Sequence, residues 1–245
     1  MAYSRSKLNK HNLMAKSSSL NSALPQTRSL SKDNFISLLK KYRDVIVKPS
    51  IGSGGVGVMS VSSLNNGKYK IQFEKTIKMV KGLQSAYSFI RNSTNGSPYI
   101  VQQKITLAKV GRMPFDARVM IQRNKNSDWI ITGKLAKIAG AGYIVTNVAR
   151  SRGRVIPLSS AIRQSNLRGK SSSQIQSQMD SISLKVAKQL QKYYRIDTVG
   201  LDLGVDPNGK VWIIEANFTP IISLFLRLKD KSIYRKIKNY RLKRY

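Results

Sequence analysis

Val199-Gly-Leu-Asp202-Leu-Gly-Val-Asp-Pro-Asn-Gly-Lys-Val-Trp-Ile-Ile-Glu215-Ala-Asn217 sets one of the chain's only two glutamates inside an apolar run. Asp206 to Gly209 reads as a turn that folds two strands back on each other, so Asp202 and Glu215 both fall beside a packed interior. A buried carboxylate without a partner is costly, and a cation or hydrogen-bond donors must meet it. Asp202, Glu215 and Asn217 offer only oxygen ligands, and hard oxygens suit Mg2+ bound to nucleotide phosphates. The stretch therefore points to an ATP-using enzyme.

Composition narrows the chemistry. A chain of 245 residues with 41% hydrophobic content can bury one substantial core or two modest ones. There is no cysteine and only His11 among the histidines, which excludes disulfides, thiolate catalysis, zinc-thiolate sites and histidine clusters. Chemistry must rest on Lys, Arg, Asp, Glu, Asn and backbone groups. No apolar run approaches the roughly 20 residues that span a bilayer, and the serine-rich start lacks a secretory signal, so the expected location is cytoplasmic. A formal charge of +33 predicts salt-sensitive attraction to an anionic polymer, an acidic protein or a membrane surface, with nucleic acid bound only nonspecifically.

Hydrophobic spacing gives the order of elements. Residues 7 to 18 suggest a short helix, followed by an extended start at Leu24 to Thr27. A second helix is capped by Ser31 and carries Phe35, Leu38, Leu39 and Tyr42 on one face. Val45 to Pro49 reads as a buried strand, 50 to 57 as a glycine-rich turn and 58 to 62 as the returning strand. A strand is expected over 68 to 73, then a helix over 75 to 91 with Ile77, Val80, Leu83, Tyr87 and Ile90 along one face. Tyr99 to Gln103, Ala117 to Gln122 and Trp129 to Lys137 read as strands, Ser151 to Lys170 as a basic loop, and 172 to 194 as a long helix. The fold class is α+β.

Gly52-Ser53-Gly54-Gly55-Val56-Gly57 matches G-x-G-x-x-G, but the residues after it favour a strand, whereas a dinucleotide fingerprint must run into a helix. No Gly-Lys-Ser/Thr follows, so a Walker loop is excluded too. What is left is a glycine-rich hairpin whose backbone N–H groups can close over phosphates, with Lys48 just before it.

Lys-Pro-x-x-Gly-Ser-Gly-Gly-x-Gly-Val, Tyr-Ile-Val-Gln-Gln-Lys-Ile, Phe115-Asp-Ala-Arg-Val119 and Gly-Leu-Asp-Leu-Gly-Val-Asp with Ile-Glu-Ala-Asn-x-x-Pro resemble the ATP-grasp superfamily in order and spacing. Thr146-Asn147 and Trp129-Ile-Ile-Thr-Gly133 look most like its endospore coat-associated YheC/YheD group. The likeness runs from about Lys10 to Pro220. It implies two α+β lobes with nucleotide between them: a base lobe of residues 1–44 and 105–220, a lid of 45–104 and a basic helical tail of 221–245. The amino-terminal domain usual in the superfamily is expected to be absent.

The same resemblance implies roles. Lys48 would contact the α- and β-phosphates under a cover made by Ser53, Gly54 and Gly55. Gln103, Lys104 and Ile105 would lie along adenine, with Gln103 where the family often has an acidic ribose ligand. Lys10 resembles a base-lobe lysine, and Asn147 belongs to the same nucleotide set. Arg118 would face the γ-phosphate, and Lys137 stands where arginine is usual, which keeps charge but loses the bidentate fork. Asp202, Glu215 and Asn217 would hold two Mg2+ ions.

The implied reaction is a carboxylate–amine ligation: a carboxylate attacks the γ-phosphate of ATP, and an amine then displaces phosphate from the acyl phosphate. Neither the carboxylate nor the amine substrate is legible. The rival reading is a spore-coat scaffold that retains the fold and binds ATP without turnover. Trp129, Trp212 and Tyr143 read as core, and His11 as an exposed helix residue. Ile221 to Tyr245 holds nine Lys or Arg and one acid. It either lies on an anionic membrane or polymer, or packs its first half on the base lobe and leaves a solvated basic end.

Overall fold

A computed structural model describes residues 6–125, 127–144, 146 and 148–242. In chain order the elements are α1 (Lys7–Ala15), α2 (Ser18–Asn21), β1 (Thr27–Ser29), α3 (Lys32–Tyr42), β2 (Asp44–Pro49), β3 (Met59–Ser63), β4 (Lys68–Phe73) and β5 (Thr76–Lys81). Then come α4 (Leu83–Ser93), β6 (Tyr99–Gln103), β7 (Lys109–Val110), β8 (Met113–Gln122) and β9 (Ile130–Ile138). After α5 (Val148–Ser151), β10 (Arg154–Ile156), α6 (Leu158–Arg163) and α7 (Ser172–Leu190), the hairpin β11 (Thr198–Val205) and β12 (Val211–Asn217) precedes a 3-10 turn (Ser223–Arg227) and α8 (Ser232–Leu242).

Two antiparallel sheets organise the chain. The first runs β1-β6-β2-β3-β4-β5, with α3 and α4 burying Phe35, Leu38, Ala86 and Ile90 against Val45, Val47 and Val61. The second runs β10-β9-β8-β11-β12, with β7 alongside β8. One of its faces carries the larger core, where Met179, Val186 and Leu190 of α7 meet Val119, Ile121, Val199 and Leu201. Serine caps start three of the helices: Ser6 and Ser31 accept from backbone N–H groups three residues on, and Ser171 with Gln174 forms a capping box on α7.

Several expectations need correction. The helix expected over 75 to 91 is a strand followed by a shorter helix, because Glu74 at φ 51° and Gly82 at φ 89° turn the chain on either side of β5. Ile77 and Val80 have helical spacing, but both are β-branched, and β4 offers an edge to pair with. The basic loop of 151 to 170 contains β10 and α6, and α6 buries Leu158, Ala161 and Ile162. β1 pairs with β6, and α3 packs on the same sheet, so residues 27–42 belong with the first sheet.

The tail packs on the second sheet from Ile222 to Ile237. It lies on the sheet face opposite α7, where Phe225, Leu228 and Ile237 join Met120 and Leu135 in a small core. Gly133 makes room for it: a Cβ there would lie 2.6 Å from Ile233 and 2.8 Å from Ile237. Ile237 is fully buried, so the expected solvated second half is instead an attached helix.

Candidate active site

Strand register aligns the site. Arg118 on β8 pairs with Asp202 on β11 and with Leu135 on β9, and Asp202 in turn pairs with Glu215 on β12. Paired residues of neighbouring strands point to the same face. Asp116, two residues before Arg118, shares that face and pairs with Lys137. Arg118, Asp202 and Glu215 thus form a row across three strands, with Asp116 and Lys137 one step along. Asn217 follows Glu215 by two residues on the same face, opposite Gly200.

Charge is closely matched in this row. Arg118 grips Asp202 through Nε to Oδ1 at 2.7 Å and the second guanidinium nitrogen to Oδ2 at 3.0 Å. Lys137 Nζ lies 2.9 Å from Asp202 Oδ1 and 3.1 Å from Asp116 Oδ1, and Thr146 donates to the other Asp116 oxygen. Burial alone raises a carboxyl pKa, but Arg118 and Lys137 hold Asp202 well below its ordinary range. Asp116 goes the other way, pushed up by burial and by Asp202 against the pull of Lys137. Burial lowers Lys137 and Arg118, yet the neighbouring carboxylates outweigh it and raise both.

A second cationic group faces Glu215 across the two sheets. Lys48 on β2 donates to Gln102 Oε1 at 2.8 Å, and Lys10 on α1 donates to the Ala216 carbonyl at 2.5 Å. Lys7, which the sequence reading passed over, reaches Gly52 O at 2.6 Å and sits 3.6 Å from Glu215 Oε1. It thereby ties the glycine loop to the carboxylate. Burial lowers Lys48 to about 8 against the pull of Glu215, and burial likewise lowers Lys10. His11 lines the same crevice and is lowered to about 4 by burial and by Lys48, so it is a half-buried neutral group and not an exposed one.

Lys7, Lys10, Lys48 and Glu215 line a small crevice, and a separate groove lies where β6 leads out of the first sheet. That groove, about 370 Å3, is lined by Gln103, Lys104, Ile105 and Thr106 on one side and by Asp206, Asn208 and Trp212 on the other. Trp212 is half-exposed and not core: a bulge after Asp202 pairs it with Gly204 and turns it to the face of Glu215. Lys104 is directed to Asp44, at 3.6 Å.

Ser53, Gly54 and Val56 stand in solvent, and Gly54 and Gly55 take φ of 74° and 75°, a left-handed pair that exposes successive N–H groups. On the far side of the cleft the β4–β5 tip meets the base. Gln72 donates to Gly142 O at 2.8 Å, Lys75 lies over Tyr143, and Glu74 pairs with Arg150. Asn147 lies outside the described residues.

Asp202, Glu215 and Asn217 present the hard oxygens that Mg2+ takes, with Arg118 and Lys137 already on Asp202 and Lys7 beside Glu215. Asp202 is held ionised, Glu215 is its direct cross-strand neighbour, and Asn217 adds a neutral oxygen on the same face. Among the described residues no group of three or more histidine, cysteine, aspartate or glutamate side chains is placed to hold a metal ion.

Two antiparallel sheets closing on a cleft, with lysines from both and a carboxylate pair on a terminal hairpin, make this an ATP-grasp fold. Residues 3–244 match the YheC/D like ATP-grasp family, and the chain belongs to it. Endospore coat-associated protein YheD of Bacillus subtilis (strain 168) is 26% identical over 227 residues, covering 89% of this chain and 49% of that protein. YheC of the same organism is 24% identical over 217 residues, covering 86% and 59%. The chain thus spans about half the length of these relatives. Among solved structures, ATP-grasp ligase PsnB complexed with minimal precursor, Mg and ADP shares the fold at TM-score 0.54 and 11% identity, covering 97% of this chain and 58% of that one. No described helix is long and apolar enough to cross a membrane.

Proposed function

We propose that this chain is a carboxylate–amine ligase that takes ATP as substrate in the cleft between its sheets. The observation that carries the reading is the meeting of Lys48 from one sheet with Glu215 from the other and with Lys7 and Lys10 of α1, on the sheet that carries the Arg118–Asp202 row. In this reading the adenine lies in the groove along Gln103, Lys104 and Ile105, and the phosphates run toward Lys48 beneath Ser53, Gly54 and Gly55. Asn147 completes the nucleotide set.

A carboxylate oxygen of the first substrate attacks the γ-phosphorus as the bond to the β-phosphate oxygen breaks, and ADP leaves. The amine of the second substrate then attacks the acyl carbon. The carbon–oxygen bond to phosphate breaks, phosphate leaves, and the amine proton passes to solvent. Arg118 and Lys137 supply fixed positive charge where the phosphoryl oxygens develop negative charge, and Lys48 balances the departing ADP. Asp202, Glu215 and Asn217 would hold Mg2+, which neutralises phosphate charge when bound. No protein nucleophile is required, in keeping with a chain that has no cysteine.

The test is ADP release by the full chain with Mg2+, ATP and a panel of carboxylates and amines. Release that depends on both substrates and is lost in Glu215→Ala supports the ligase. One observation favours a second reading, a coat-associated scaffold that binds ATP without turnover: Arg118 spends its fork on Asp202. Saturable ATP binding with no release across the panel would select it.

A further inference from the structure

The tail, residues 221–245, carries nine Lys or Arg and a single acid. The 3-10 turn and α8 pack on the sheet face that carries Arg118 and Asp202. Phe225 sits beside Gly133, whose partner Met120 is two residues from Arg118, and Gln122 donates to Ile237 O at 3.3 Å. With about 3.3 Å per strand residue, Met120, which the tail covers, lies roughly 7 Å along β8 from Arg118.

On its outer side Arg227, Lys229, Arg235, Lys236 and Lys238 are exposed, and no described carboxylate lies within ion-pair distance of any of them. The single acid of the segment, Asp230, is turned to Ser232, accepting from both its N–H and its hydroxyl at 2.7 Å. Arg235 and Lys238 lie opposite the Ile233–Ile237 stripe, while Lys231, just before α8, donates to the Leu226 and Leu228 carbonyls.

We propose that this strip docks an acidic polypeptide and leads one of its carboxylates to the Arg118–Asp202 row. The inference rests on the reading that this row activates a carboxylate. Three observations select the partner. The apolar stripe of α8 is already buried against the sheet, so the helix has no face to lay into a bilayer. Ile221 and Leu226 stand exposed at the start of the strip and suit apolar side chains of a peptide, which a phosphate polymer lacks. The tail that bears these cations packs on the sheet face that carries Arg118 and Asp202, so a chain held along it lies on the site's side of the sheet.

Docking is measured without nucleotide, by fluorescence anisotropy of a labelled Glu- and Asp-rich peptide on the full chain. The expected result is that R235Q/K236Q/K238Q weakens binding about five- to tenfold, the sum of three rim charges. K32Q/K40Q/K68Q, which removes as many exposed cations elsewhere, leaves it within about twofold. Circular dichroism confirms that both variants fold. Equal losses in the two variants overturn the proposal, as does tighter binding of a DNA duplex or of phosphatidylserine vesicles that displaces the peptide. ADP release is read separately: peptide held by the tail without ADP release leaves the docking surface standing and removes the ligase reading.

Discussion

At the residue scale the account turns on buried cations. Lys48 faces Glu215, Lys7, Asp202 and His11, and burial brings it to about 8 from an ordinary 10.5. Its ammonium form attracts phosphate, so ATP affinity should fall above about pH 8, by up to roughly tenfold per unit, as the charge is lost. K48M should bind weakly with a flatter profile; an unchanged slope in K48M would move the titration elsewhere. The sign for stability is opposite. A lysine with a lowered folded pKa destabilises the fold while charged, and this penalty fades as pH rises from about 8 toward 10.5. Arg118 gives a second prediction. Removing it leaves Asp202 buried with Lys137 alone, so R118A should lose about 3 kcal/mol in denaturant unfolding. A loss near that of an exposed arginine would mean that the pair is solvated. Asp202, whose folded pKa is depressed, contributes stability above its ordinary range that disappears as pH falls through the folded value, so R118A should also unfold at higher pH on acidification.

At the element scale the close packing of the tail can be tested at Gly133. G133A places a methyl among Ile233, Ile237 and Phe225, so amide exchange in residues 223–242 should speed up by tenfold or more while α7 stays protected. Unchanged exchange would mean that the tail adjusts freely. What was legible in the sequence follows the same physics. Asp202 and Glu215 could be read because polar residues inside apolar strands have few explanations, and a single turn fixes their pairing. Arg118 and Lys137 came from motif order. Asp116 was missed, although it lies two residues from Arg118 and so had to share its face. Lys7, His11 and Trp212 were not readable: their places depend on α1 crossing to the glycine loop and on one bulge in β11–β12, both set by contacts distant in sequence. β5 was misread because helical spacing and strand alternation overlap over six residues.

At the scale of the whole molecule, the sheets meet through Gln103 to Ile105 on one side of the cleft and through the contacts of Gln72, Glu74 and Lys75 with Gly142, Arg150 and Tyr143 on the other. The chain carries a formal charge of +33, so encounter with any anionic ligand should weaken steeply with salt, whereas the paired Arg118–Asp202 row is buried and should be screened little. The central claim, that Glu215 serves a metal–nucleotide complex in this cleft, is met most directly by calorimetric titration of ATP into wild-type protein and E215A, with and without Mg2+. The account predicts one saturable site in the wild type that tightens with Mg2+, and a variant in which the Mg2+-dependent gain is gone. Binding that ignores Mg2+, or a gain of the same size in E215A, would contradict it.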